Sequence, residues 1–185
     1  MVRNSGKLSE KYVKSLAEGM LAYRIYLSKC GVQSALSEYT FYEPFIRMLI
    51  IKNNWNVKCE FPIENKSKSI GDKKRIDFVI FKLKNTEMKQ KKIIIASFEI
   101  KVFLSNKNRI NYNKIINDYN KLSNFKKNSK INDHDSWLLI LHNNTKELFE
   151  KNIKKSFTKN LLSKNPSLFI FDLYRLGYFC QINSR

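Results

Sequence analysis

Hydrophobic and polar positions follow two different periods along the chain, and each change of period marks an element. After Ser9, which can cap a helix, apolar side chains recur at Val13, Leu16, Met20, Tyr23 and Leu27, one stripe of a helix that closes near Gly31. A second helical pattern covers residues 37 to 53 through Tyr42, Phe45, Ile46 and Leu49, and Pro44 within it predicts a late start or a kink. From Trp55 the period is two. Trp55, Val57, Cys59 and Phe61 alternate with polar residues as far as Pro62, the pattern of a half-buried strand. A loop of Asn, Lys, Ser and Gly follows. "RIDFVIFKL" (75 to 83) and "KIIIASFEIKVF" (92 to 103) are rich in β-branched and aromatic residues, and the polar "KNTEMKQK" between them predicts a hairpin connection.

Beyond residue 103 the pattern returns to helix from about 108 to 127, with Ile115, Tyr119 and Leu122 on one side. "SWLLILH" is a short apolar strand, buried on both faces if the run is taken at its word. Asn144 with Glu147 forms a capping box for a helix whose stripe is Phe149, Ile153, Phe157 and Leu161. "SLFIFDLYR" is the last strand. Leaving out the first helix, the order α-β-β-β-α-β-α-β predicts an α/β protein with a mixed β-sheet and helices on its faces. The expected organisation is one domain over residues 1 to 185, with a core from about 37 to 175 and residues 1 to 31 as a peripheral N-terminal helix.

Composition adds three things to this picture. With 43% hydrophobic and 13% aromatic residues but only 5 Gly and 3 Pro, the 185-residue chain can bury one good core without staples. Its formal charge of +19 favours a polyanionic partner such as nucleic acid, bound through phosphate contacts and counterion release. The basic residues are spread over the whole length in a chain saturated with Lys, Asn and Ile, so part of that surplus reflects codon composition. Cys30, Cys59 and Cys180 are far apart and in no C-x-x-C spacing, which suggests neither a disulfide framework nor a zinc knuckle and fits a reducing cytoplasm. The opening "MVRNSGKLSEKY" has no apolar run, and no stretch approaches a membrane span.

The candidate chemistry lies where charges interrupt apolar strands. Glu99 and Lys101 in "FEIKVF" point to the same face of their strand, and Asp77 in "RIDFVIF" sits between Ile76 and Phe78. Unpaired charges taken from water cost several kcal/mol, so such residues persist in sheets when paired or bound to a metal. If the two strands are hairpin partners, Asp77 and Glu99 converge, and a divalent cation is the usual remedy for their repulsion. Carboxylate oxygens suit Mg²⁺ or Mn²⁺. Lys101 is then placed to orient or deprotonate a metal-associated water and to stabilise charge on a phosphate. Glu-x-Lys also occurs at Glu64 with Lys66 and at Glu87 with Lys89, both in polar turns; only the third is embedded in an apolar run. A cross-strand ion pair is the alternative.

With Asp77 in "RIDFVIF", Glu99-Ile100-Lys101 in "FEIKVF" and an α-β-β-β-α-β order over residues 37 to 175, the sequence resembles the PD-(D/E)XK nuclease superfamily. Ile76 stands where the family often has Pro. The resemblance implies a restriction-endonuclease-like fold in which Asp77, Glu99 and the carbonyl of Ile100 hold the metal, with Lys101 next to the attacking water. Many members add a Glu from the helix before the first strand. Helical periodicity puts Glu38 in line with Tyr42, Phe45 and Leu49, whereas Glu43 falls four residues before Arg47, where a surface pair is simpler. Glu43 can also pair with Thr40 in a capping box, starting the helix later and leaving Glu38 outside it. Glu38 is preferred. Its segment "SEYTFYEPF...NNW" is similar to the Glu-to-Pro-to-Gly-Trp arrangement of some restriction-subunit nuclease domains. Asp118 and Lys121 in "NDYNKL" resemble a recurring Asp-x-x-Lys-Leu pattern, although plain helix chemistry, a pair between Lys114 and Asp118, is the simpler expectation. Lys107, Arg109 and Lys114 are candidates for phosphate contacts or plain surface.

Three functions compete. The leading expectation is a Mg²⁺-dependent endonuclease, with Mn²⁺ as the alternative ion, that hydrolyses phosphodiesters of nucleic acid, DNA first, as a homodimer cutting two strands or a nicking monomer. The second is an inactive nuclease-like module that binds nucleic acid or protein. The third, a zinc nuclease built on His134 and His142, is weak because the two lie on either side of one strand, roughly 20 Å apart if it is extended. No phosphate-binding Gly-rich loop, G-x-S-x-G elbow or H-E-x-x-H motif is present.

Overall fold

The computed structural model of the chain describes residues 8, 10–32, 37–51, 55–63, 75–86, 89–103, 111–126, 134–142, 167–172 and 178–181. Helix α1 (Glu10–Lys29) ends as Gly31 foretells: Gly31 takes φ 77°, its N–H bonds to the Ser28 carbonyl, and the Val32 N–H bonds to that of Leu27. This closure needs a left-handed residue, which glycine adopts without strain. Ser9, the expected cap, lies outside the described residues, as do Lys107, Arg109 and the helix expected after Asn144.

Pro44 resolves as a late start. Residues Glu38–Phe41 form a 3-10 turn, and α2 (Tyr42–Ile51) begins after it, placing Pro44 in the first turn where a missing N–H is harmless. The turn is fixed by Ser37 and Thr40: the Ser37 N–H donates to Thr40 Oγ1 at 3.1 Å, and the Thr40 N–H donates to the Ser37 carbonyl at 3.1 Å.

Among the described residues six strands follow: β1 (Asn56–Pro62), β2 (Arg75–Thr86), β3 (Lys89–Phe103), β4 (Asp135–His142), β5 (Ser167–Asp172) and β6 (Tyr178–Gln181), with α3 (Tyr112–Lys126) between β3 and β4. They lie side by side in chain order. The β1–β2, β2–β3 and β5–β6 pairs are antiparallel, and β3–β4 and β4–β5 are parallel, so the sheet is mixed and the protein is α/β. The polar stretch expected as a turn instead extends the hairpin, since Lys84 pairs with Lys91 and Asn85 with Gln90. The described side chains of this arm, residues 82–85 and 90–92, are exposed, so the arm extends beyond the core. β6 has no counterpart among the elements that the sequence predicts, the last of which ends at residue 175; four residues at a sheet edge give too short a period to register.

Each face of the sheet is covered by helix. On one face α1, the 3-10 turn and α2 pack Val13, Leu16, Met20, Phe41, Phe45 and Leu49 against Phe78, Ile80, Phe98, Ile100 and Leu139. On the other, α3 packs Ile115, Tyr119, Leu122 and Phe125 against Ile76, Val79, Leu138 and Ile140. α1 is therefore part of the core, contrary to its expected peripheral place. Val13 and Met20 are fully buried, and the Tyr12 hydroxyl donates to the Met48 carbonyl at 3.2 Å. β4, central and parallel on both sides, is buried from Ser136 to Leu141 as its unbroken apolar run predicts. Among the described residues no helix is long and apolar enough to cross a membrane.

Candidate active site

The β2–β3 ladder opens at the residues singled out above. Pairing runs from Thr86↔Lys89 to Phe78↔Phe98 and stops one row before Asp77 would meet Glu99. β1 breaks its pairing with β2 at the same level, where Cys59↔Phe78 and Phe61↔Ile76 flank Glu60 and Asp77. Glu60 has φ 50°, a left-handed conformation that costs a residue with a Cβ about 1–2 kcal/mol. Both strands change faces there. Val57, Cys59 and Phe78 pack beneath α1 and α2, while Phe61, Ile63 and Ile76 pack beneath α3.

Side chains replace the missing ladder bonds. The Ile100 N–H donates to Asp77 Oδ2 at 2.8 Å, and the Asp77 N–H donates to Glu99 Oε1 at 3.2 Å. Buried backbone donors demand partners, so the two carboxylates hold the strands apart and satisfied at once. Within a strand the N–H and C=O of one residue point to the same edge, so the Ile100 carbonyl faces this gap too. Glu99 is completely buried and Asp77 is 8% exposed. Burial raises the Asp77 carboxyl above its usual range, against the lowering effects of the Ile100 N–H, Lys121, Tyr42 and Lys101. Glu99 is raised well above its usual range, by burial first and then by Asp77.

Two lysines close the cluster. Lys101 contacts Glu38 Oε1 at 3.1 Å and Asp118 Oδ2 at 3.1 Å, joining the 3-10 turn of one helical layer to α3 of the other. Lys121 lies 2.6 Å from Glu99 Oε2 and 3.3 Å from Asp118 Oδ1. Burial works against both ammonium groups, yet their acidic neighbours prevail, Asp118 and Glu38 for Lys101 and Glu99 for Lys121, so both pKa values are raised. Tyr42, its ring 4.5 Å from Phe78, donates its hydroxyl to Glu60 Oε1 at 3.5 Å; burial and then Asp77 push that hydroxyl up.

The structure thus brings Glu38, Asp77, Glu99 and Lys101 into one cluster and leaves Glu43 out, on the surface with Arg47 at 2.7 Å. Glu38 arrives by a different route from the one periodicity gave, since it belongs to the turn before α2. Lys101 is held between two carboxylates. Asp118 pairs with Lys101 and Lys121 in place of the expected Lys114, and both α3 residues belong to the site. A signal for Asp118 was present: it lies three residues after Ile115 and four before Leu122, a charge inside an apolar stripe, the same anomaly that marks Glu99. His134 is buried and sits 3.2 Å from Ser97 Oγ, within a small hydroxyl cluster with Ser136, so its role there is packing and hydrogen bonding.

Fold and site together define a mixed α/β protein with a buried carboxylate–lysine cluster at the mouth of a splayed hairpin. Set against known proteins, the chain matches no family model, no curated protein and no solved structure.

Proposed function

We propose that the chain is a metal-dependent phosphodiesterase and, within that class, a PD-(D/E)XK nuclease of restriction-endonuclease-like fold acting on DNA. The reading places it in the cytoplasm, in restriction, defence or repair. It is carried by one observation: Asp77 and Glu99 are interlocked at the row where the β2–β3 ladder parts, with Lys101 and Glu38 joined beside them.

The donor chemistry fits Mg²⁺, with Mn²⁺ as the alternative. Among the described residues the ammonium groups that meet Glu38, Asp77, Glu99 and Asp118 are Lys101 and Lys121, a formal surplus of two negative charges in a chain of +19. Burial already disfavours the charged carboxylates, which a divalent cation would favour. Asp77, Glu99 and the Ile100 carbonyl are the groups that would hold it, though among the described residues no three acidic, His or Cys side chains surround one point as they stand. Bound there, the ion supplies a water of lowered pKa and neutralises phosphate charge. Lys101 has the complementary task. Its raised pKa keeps it an ammonium at neutral pH, suited to stabilising charge on the phosphate rather than to taking a proton from water. Glu38 and Asp118 position it.

The test is cleavage of plasmid and oligonucleotide DNA with Mg²⁺, Mn²⁺ or EDTA, for the native chain and Asp77→Ala. Cutting that needs the ion and disappears in the variant is the expected result. A second reading, a nuclease-like binding module without activity, draws on the internal pairing of Lys101 and Lys121 with Glu38, Glu99 and Asp118. Tight, salt-sensitive DNA binding with no cutting under any of these ions would select it.

A further inference from the structure

The fully buried Glu99 carboxylate has a partner that the nuclease reading alone leaves unused. Oε1 accepts the Asp77 N–H, and Oε2 is held by the Lys121 ammonium 2.6 Å away, so both oxygens already have partners. An ion can take Oε2 only if Lys121 leaves it. An ammonium brings one charge on a flexible four-carbon stem, whereas a divalent ion brings two and asks only for oxygen atoms at the right distance. Lys121 also has somewhere else to go: Asp118 Oδ1 is already 3.3 Å from Nζ.

Resting on the metal-dependent reading above, we propose that Lys121 is a stand-in for the cation, an internal counter-ion that occupies Glu99 Oε2 in the ion-free protein and is displaced onto Asp118 when a divalent ion binds. Ion binding is then an exchange of one cation for another, and its affinity is reduced by the work of moving Lys121. The displaced ammonium, kept on α3 beside Lys101, becomes available to a phosphate only after the ion has arrived. Metal and polyanion would therefore load in that order.

The experiment is calorimetric titration of Mg²⁺ and Ca²⁺ into the DNA-free protein, comparing the native chain with Lys121→Met, Lys121→Arg and Lys101→Met. Lys121→Met should bind either ion about tenfold more tightly than native. Lys121→Arg should behave as native, and Lys101→Met, which removes an equal charge from Glu38 and Asp118, should gain less. Should Lys121→Met fold only with the ion present, the same idea is read in the native chain by acetylation of amines followed by mass spectrometry. Modification of Lys121 should then rise with Ca²⁺, and unchanged modification would overturn the exchange. A folded Lys121→Met that binds ions no more tightly than native, while native binds them and cuts DNA, overturns the exchange and leaves the nuclease reading standing. No ion binding by any of the proteins removes both.

Discussion

Glu99 is the residue in which the whole chain of reasoning can be checked by pH. Its carboxyl is raised in the folded state, by burial and by Asp77, above the 4.5 of a free glutamate. Between that value and the raised one the native state binds more protons than the unfolded state, so stability falls as pH rises through the window. Glu99→Gln lacks this group. Chemical denaturation from pH 8 down to pH 5 should therefore show the native chain gaining stability relative to Glu99→Gln as pH falls, whatever the shared acid sensitivity of the two proteins. A constant difference across the range would mean that Glu99 is not held in a desolvated, repelled state. At this scale the sequence was informative: an acid inside an apolar strand has few physical excuses, and Asp77 and Glu99 lie where that reasoning puts them. Lys121 was harder to see. A lysine beside an apolar stripe on a helix is ordinarily solvated, and in a chain with 35 Lys and Arg residues nothing local separates it from the others.

At the scale of elements, the helices and β1 are legible from their period because each buries one face, and β2 and β3, buried on both faces, from their β-branched and aromatic runs. Periodicity gave less where polarity and structure part company. The solvent-exposed arm of the β2–β3 hairpin is polar and still regular, and the 3-10 turn that delivers Glu38 borrows the helical pattern of α2 without being part of it. The kink at Glu60 has no sequence signature, since a left-handed glutamate is a product of the row it occupies. α1 is the element whose importance was most underrated. Met20, fully buried between α1 and the rest of the core, provides the check: Met20→Ala should lower the free energy of unfolding by about 2–5 kcal/mol in urea denaturation. A loss near zero would return α1 to the periphery.

For the molecule as a whole, the +19 charge and the negative cluster are complementary facts. On the nuclease reading, a basic surface would draw DNA in over long range, and a local acidic site would repel phosphate until an ion neutralises it. Binding of DNA should accordingly be steep in salt: with about six phosphate contacts, affinity should drop roughly 10³-fold between 50 and 200 mM salt. Neutralising the site by Asp77→Asn should leave that slope unchanged while strengthening ion-free binding, measured by fluorescence anisotropy. Shallow salt dependence would mean that the charge is a compositional bias with no polyanion behind it.

The central claim is that Asp77, Glu99 and Lys101 act together on a phosphodiester at the parting of β2 and β3. It is tested most directly by cleavage rates with Mg²⁺ for the native chain and Glu99→Gln, measured at equal DNA occupancy. The account predicts that binding survives and cutting falls by about 10²–10³-fold or more. Undiminished cleavage by Glu99→Gln, or no cleavage by the native chain with any divalent ion, would contradict it.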